Sequence, residues 1–160
     1  MTDTTLSSGS LAEFTAVACG NQSAGVFLHQ MVQVLHFFDD CVDGDSPLTQ
    51  DIVYQRLQQA LFDLPNNPFY VQHFDALNTV LQLAKINWVA ANQLEAEQQP
   101  GDLEIAFIAR SDYVNLILAV ATITGGVGWA EKIAPDVRRF AHGEGFKAYC
   151  EALENEQRIS

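Results

Sequence analysis

Apolar residues recur along this chain at spacings of three and four, and no stretch shows the sustained alternation a half-buried strand requires. The clearest helix runs from a candidate cap at Ser23 to about Val42. On a wheel of about 100° per residue, Phe27, Met31, Val34, Leu35, Phe38 and Val42 form its apolar centre. Opposite lies a polar stripe of His29, Gln33, His36, Asp40 and Asp43, narrowed by Val26, Val32 and Phe37. A helix this apolar is expected to be covered on most sides.

The same pattern predicts the other elements. Residues 1–9 read as a disordered tail, and Ser10 caps a short helix from Leu11 to about Cys19, ended by Gly20-Asn21. Gly44 to Pro47 is a turn. Thr49 caps a third helix marked by Ile52, Val53, Leu57 and Leu61, reaching about Phe62. Pro68 after Asn67 suits a helix start, and a fourth helix reaches Glu97 with Phe74, Leu77, Leu81, Ala84, Trp88 and Ala91 on its inner face. Gln98 to Gly101 is a loop. Asp102 opens a fifth helix over Leu103 to about Thr122. It is apolar all round and so expected to be the buried central helix, with Gly125-Gly126 beyond it. Trp129 to Glu154 gives one or two helices with a break near Pro135 or Gly143–Gly145. With no internal repeat or linker, residues 1–160 form one all-α domain, a bundle of about six helices.

Composition narrows the function classes. The chain has 160 residues, 48% of them hydrophobic, which fits a folded domain. It carries 8 Lys and Arg against 20 Asp and Glu, a net charge of −12, which disfavours direct nucleic-acid binding and anionic membranes. Cys19, Cys41 and Cys150 lack paired spacing and read as reduced thiols of a cytoplasmic protein. The start of the chain has no basic segment followed by an apolar one, as a signal peptide would. The apolar run Val114–Ala130 is interrupted by Asn115 and Gly125-Gly126, which weakens it as a membrane span.

Three constellations could carry chemistry. Asp39, Asp40 and Asp43 crowd one helix end, where mutual repulsion and the helix dipole both oppose them, so Mg²⁺ held by these carboxylates is a candidate, with His36 beside it. Against this stands a solvated acidic helix end, since Asp43-Gly44-Asp45-Ser46-Pro47 is good turn chemistry by itself. His29 and His36 share the polar stripe and could join the carboxylates in a metal site or line a groove. Arg110 and Asp112 interrupt the apolar fifth helix about 160° apart, so each needs a partner elsewhere. The acidic end of the second helix or Glu95 would serve Arg110, and Arg138 or Arg139 would serve Asp112. His142 lies in a loop segment, His142-Gly143-Glu144-Gly145, that could add polar ligands. Cys41 beside carboxylates is a poor nucleophile. Serine-hydrolase, phosphate-loop and dinucleotide motifs are absent.

The Asp39-Asp40-x-x-Asp43 pattern resembles the first metal motif of class I terpenoid synthases, but no second metal motif accompanies it and the chain is short for that family. An EF-hand fails because Cys41 and Gln50 stand where oxygen ligands belong. A wider set of marks is similar to small helical proteins encoded by phages and prophages. Those marks are His36-x-x-Asp39-Asp40-x-x-Asp43-x-Asp45, Leu64-Pro65-x-Asn67-Pro68-Phe69-Tyr70-x-x-His73, Trp88-x-x-Ala91-Asn92 and Gly125-Gly126-x-x-Trp129. The resemblance implies a phage context and no particular activity. The leading expectation is a non-enzymatic accessory protein that needs no cofactor and meets a protein partner or a second copy of itself. The alternatives are a Mg-dependent enzyme acting on a phosphorylated small molecule and an acidic mimic of nucleic acid.

Overall fold

The computed structural model describes residues 6–44 and 46–159, with side chains to Asn155. Residues 1–5 of the expected tail, and Asp45, lie outside them. Among the described residues all regular structure is helical. The elements are α1 (Leu11–Val17), α2 (Gln22–Asp43), α3 (Gln50–Gln58) with a π-turn over Gln59–Asp63, α4 (Pro68–Gln72), α5 (Phe74–Glu97), α6 (Asp102–Ala109), α7 (Val114–Gly125), α8 (Val127–Ala141) and α9 (Phe146–Ile159). The chain is an all-α, single-domain bundle.

Short polar residues set the helix starts. Ser10 and Glu13 form a reciprocal capping box, Asn21 caps α2 through Ala24 N–H, Thr49 caps α3, and Asn67 caps α4 just ahead of Pro68. Asn21 starts α2 ahead of the expected cap at Ser23. Gly44 ends it in the left-handed region at φ 70°. Gly25 lets α1 and α2 touch, since an added Cβ would sit 2.8 Å from Thr15 Cα.

The core is one connected cluster centred on α7. Val114, Leu116, Ile117, Val120 and Ala121 are buried with Phe14 and Val17 of α1, Phe27 and Leu28 of α2, Leu77 of α5, and Ile133 and Val137 of α8. Each large side chain so removed from water contributes about 1.5–3 kcal/mol before entropy is counted.

Four expectations are revised, and a fifth, left between two positions, is narrowed to one of them. The fifth helix is broken at 110–113, where Ser111 and Asp112 favour local turns and Val114 N–H and Asn115 N–H bond three residues back. Only α7 is the buried central helix, whereas Ile105 and Ile108 of α6 are more than half exposed. The fourth helix is interrupted at His73 (φ −114°, ψ 21°), and Phe74 turns outward. Residues 6–9 are not a frayed tail: Leu6 is in the core, and the Glu13 carboxylate gathers the backbone N–H groups of Ser7, Ser8, Gly9 and Ser10. α8 runs through Pro135, so the C-terminal break falls at 142–145. Finally, Phe38 and Val42, on the predicted apolar centre of α2, are 51% and 58% exposed because the end of α2 projects past the core.

Length and composition would let the stretch Asp102–Gly125 cross a membrane. It is broken midway by a turn that carries Arg110 and Asp112, and these charges are engaged by partners on α2 and α5. In hydrocarbon, such a turn would be costly.

Candidate functional site

The last two turns of α2 place His36, Asp39, Asp40 and Asp43 beside a cleft of about 530 Å³. Its other walls are α5, the α6–α7 turn, the end of α8 and α9. Arg110 enters from the turn. Its Nη2 donates to Asp39 Oδ1 at 3.3 Å and to Asp43 Oδ2 at 3.0 Å, while Nη1 donates to Glu95 Oε1 at 2.6 Å. One guanidinium thus ties the ends of α2 and α5 to the α6–α7 turn. Burial alone would lower the Arg110 pKa, but the Glu95 hydrogen bond and the charges of Glu95, Asp39 and Asp43 hold it above its ordinary value. It stays charged.

Two further donors complete the cluster. Trp88 Nε1 donates to Asp39 Oδ1 at 2.8 Å, and the Tyr149 hydroxyl donates to Glu95 Oε1 at 2.6 Å. Burial, then the hydrogen bond and charge of Glu95, raise the Tyr149 pKa against the opposing Arg110. Tyr113, edge-on to His36 at 5.6 Å, is pushed up to about 12 by burial and by the Asp39 charge. Crowding by the cleft walls lowers the His36 pKa against the pull of Asp39 and Asp40, although the residue as a whole is exposed. Neither Trp88 nor Tyr149 stands out as a site residue in the sequence. A buried indole or phenol needs an acceptor, and two acids of unknown position were its only clue.

The other candidates separate from this cluster. Asp40 is half-buried, and its carboxylate accepts no hydrogen bond among the described residues. His29 meets Gln33 at 3.2 Å on the upstream part of the stripe, where Gln33 Oε1 accepts from Arg56 Nη1 at 3.1 Å and from Gln59 Nε2 at 2.9 Å. The π-turn and the last turn of α3 therefore cover this half. Asp112 does not reach Arg138 or Arg139. It accepts from Asn87 Nδ2 at 2.8 Å and from Asn115 Nδ2, and Arg138 reaches Asn115 instead. Two amides satisfy the carboxylate without a second charge. His142 lies against Phe107 at 5.0 Å, with its buried Nδ1 unpartnered among the described residues, and burial with nearby Arg138 lowers its pKa.

Among the described residues no three His, Cys, Asp or Glu side chains are grouped to hold a metal ion. A cation already bridges Asp39 and Asp43, namely the Arg110 guanidinium, so Mg²⁺ there would share or displace it. This pairing also accounts physically for acids at a helix C-terminus, since the guanidinium offsets both their repulsion and the dipole. Chemically, the cluster is a cross-link between helices beside an aromatic cleft. Comparisons with protein-family models, with curated proteins and with solved structures give no match for this chain.

Proposed function

We propose that this is a non-enzymatic accessory protein that acts through its helical surfaces, and first by self-association along α3. The observation carrying the reading is that α3 and its π-turn face the wrong way for a surface helix. Arg56 and Gln59 point inward to Gln33, while Val53, Tyr54, Leu57, Leu61 and Phe62 are 37% to 63% exposed. Residues 53, 57 and 61 recur every four positions, so they make one continuous stripe. Such a stripe is costly in water and supports an interface.

A second copy of the chain is the occupant that fits. Residues 50–63 carry only Asp51, Arg56 and Asp63 as charges, a net −1 on a chain of net charge −12. Two copies laid antiparallel across the stripe would bury the same residues on both sides, as a two-fold interface requires. The phage or prophage setting and the bacterial cytoplasm rest on the motif resemblance and the unpaired cysteines. The rival reading is a Mg-dependent enzyme using Asp39, Asp40 and Asp43. It predicts a metal-dependent rise in melting temperature that Asp40→Ala abolishes.

Light scattering at several protein concentrations tests the self-association. The wild type is expected to dimerise, more strongly as salt screens the repulsion between acidic copies. The Leu57→Glu/Leu61→Glu double variant is expected to be monomeric with unchanged helicity. A wild type that stays monomeric at every concentration and salt level overturns the reading.

A further inference from the structure

The cleft beside Arg110 has the size and lining of a small-molecule site. Its volume of about 530 Å³ falls in the range of ligand pockets. Five aromatic side chains line it, from four helices and the α6–α7 turn: Phe38, Trp88, Phe107, Tyr113 and Tyr149. Phe107 and Tyr149 lie 5.3 Å apart, and Arg110 already rests over the Tyr149 ring at 5.9 Å. Phe38, half exposed, stands at the mouth.

The charges decide which ligand suits these rings. Arg110, the one guanidinium in the lining, is contacted by Asp39, Asp43 and Glu95. An anion would have to compete with three carboxylates for it. Glu144 adds a carboxylate and Lys85 an ammonium to the lining, both on exposed residues. Four carboxylates thus stand against two cations in and behind the wall. Asp39 also has a free face, since both its donors, Trp88 and Arg110, share Oδ1. The chain's overall charge of −12 draws cations toward the cleft and repels anions.

We propose that this cleft binds an organic cation with an apolar body, an aryl- or alkylammonium compound. The apolar part packs among Phe107, Tyr113 and Tyr149, and the ammonium sits over the Trp88 and Phe38 rings between Asp39 and Glu144. Ring faces attract a cation by their quadrupole, most strongly for indole, and the neighbouring carboxylates add to that attraction. This site is independent of the α3 stripe and stands whether or not the protein self-associates.

Calorimetric titration of the whole chain with three probes of one shape tests it. They are benzyltrimethylammonium, the neutral 2-methyl-1-phenyl-2-propanol and the anionic benzylphosphonate. The ammonium is expected to bind at least about tenfold more tightly than the neutral probe, with no detectable binding of the phosphonate. Trp88→Leu should weaken the ammonium about tenfold or more. Glu144→Gln, a change on an exposed loop that leaves the fold alone, should weaken it severalfold, and Lys85→Gln should strengthen it. Equal binding of the ammonium and neutral probes would show a merely apolar slot and overturn the proposal. Preference for the phosphonate would overturn it by making Arg110 an anion receptor, and so would failure of all three probes to bind.

Discussion

Two arginines dock other elements onto the polar stripe of α2, by opposite means. Arg56 meets the upstream half through amide oxygens alone, those of Gln33 and Gln59 at 3.1 and 2.7 Å. Arg110 meets the downstream half through carboxylates, with Asp39, Asp43 and Glu95 all within 3.3 Å. Around Arg56 the helices close over the stripe, whereas around Arg110 they stand apart and leave an aromatic cleft. The Arg56 network holds one positive charge, which two amide oxygens and partial exposure satisfy, so helices can pack over the rest of it. A cluster with surplus negative charge stays near solvent, because burying that surplus would cost several kcal/mol per uncompensated ion.

Removing each arginine breaks the comparison most directly. Arg110→Ala leaves three carboxylates facing one another and is expected to destabilise by about 3 kcal/mol, at the low end for buried pairs because Asp39 is partly in water. Urea unfolding reads this as a lower midpoint. Arg56→Met keeps the aliphatic stem and loses only hydrogen bonds to amides, so about 1 kcal/mol is expected from the same measurement. Molar salt should shrink the Arg110→Ala cost and leave that of Arg56→Met nearly unchanged, since only the former is largely electrostatic. Equal costs with equal salt response would erase the distinction.

The smallest effect concerns His36 at the open end. Its folded-state pKa is held below the ordinary 6.5, so the unfolded chain takes up a proton more readily. The stability it confers is therefore complete above pH 6.5 and is lost as pH falls through its folded pKa. Unfolding midpoints of the wild type and His36→Gln, compared between pH 8 and 5, should converge or cross toward the acid side. Parallel curves would show that His36 is as free in the fold as in the unfolded chain.

Much of this architecture was legible in the residues. Asn67-Pro68, Thr49 and Gly44 mark their helix ends through local hydrogen-bonding chemistry that tertiary packing leaves intact. Arg110 was legible as a residue in need of a partner, because a charge in an apolar stretch demands one. The break at 110–113 was hidden, since neither Gly nor Pro punctuates it and apolar residues continue on both sides. Asp112 misled for a related reason: periodicity shows where a charge lies but not that Asn87 and Asn115 can satisfy it with amides. For α3, the pattern identified the residues sharing a face. Which way that face points depends on what α2 offers opposite, and the Gln33 stripe attracts the polar side.

The π-turn at Gln59–Asp63 closes with Leu64 N–H bonding to Gln59 C=O, five residues back rather than four. In effect it is a one-residue insertion in the final turn of α3. Without it, everything after Gln59 would rotate by about 100° relative to Arg56. The chain could then keep Arg56 on Gln33 or Leu64 in the core, but not both. The extra residue acts as a phase shifter, letting one helix serve a polar contact at its start and an apolar one at its end.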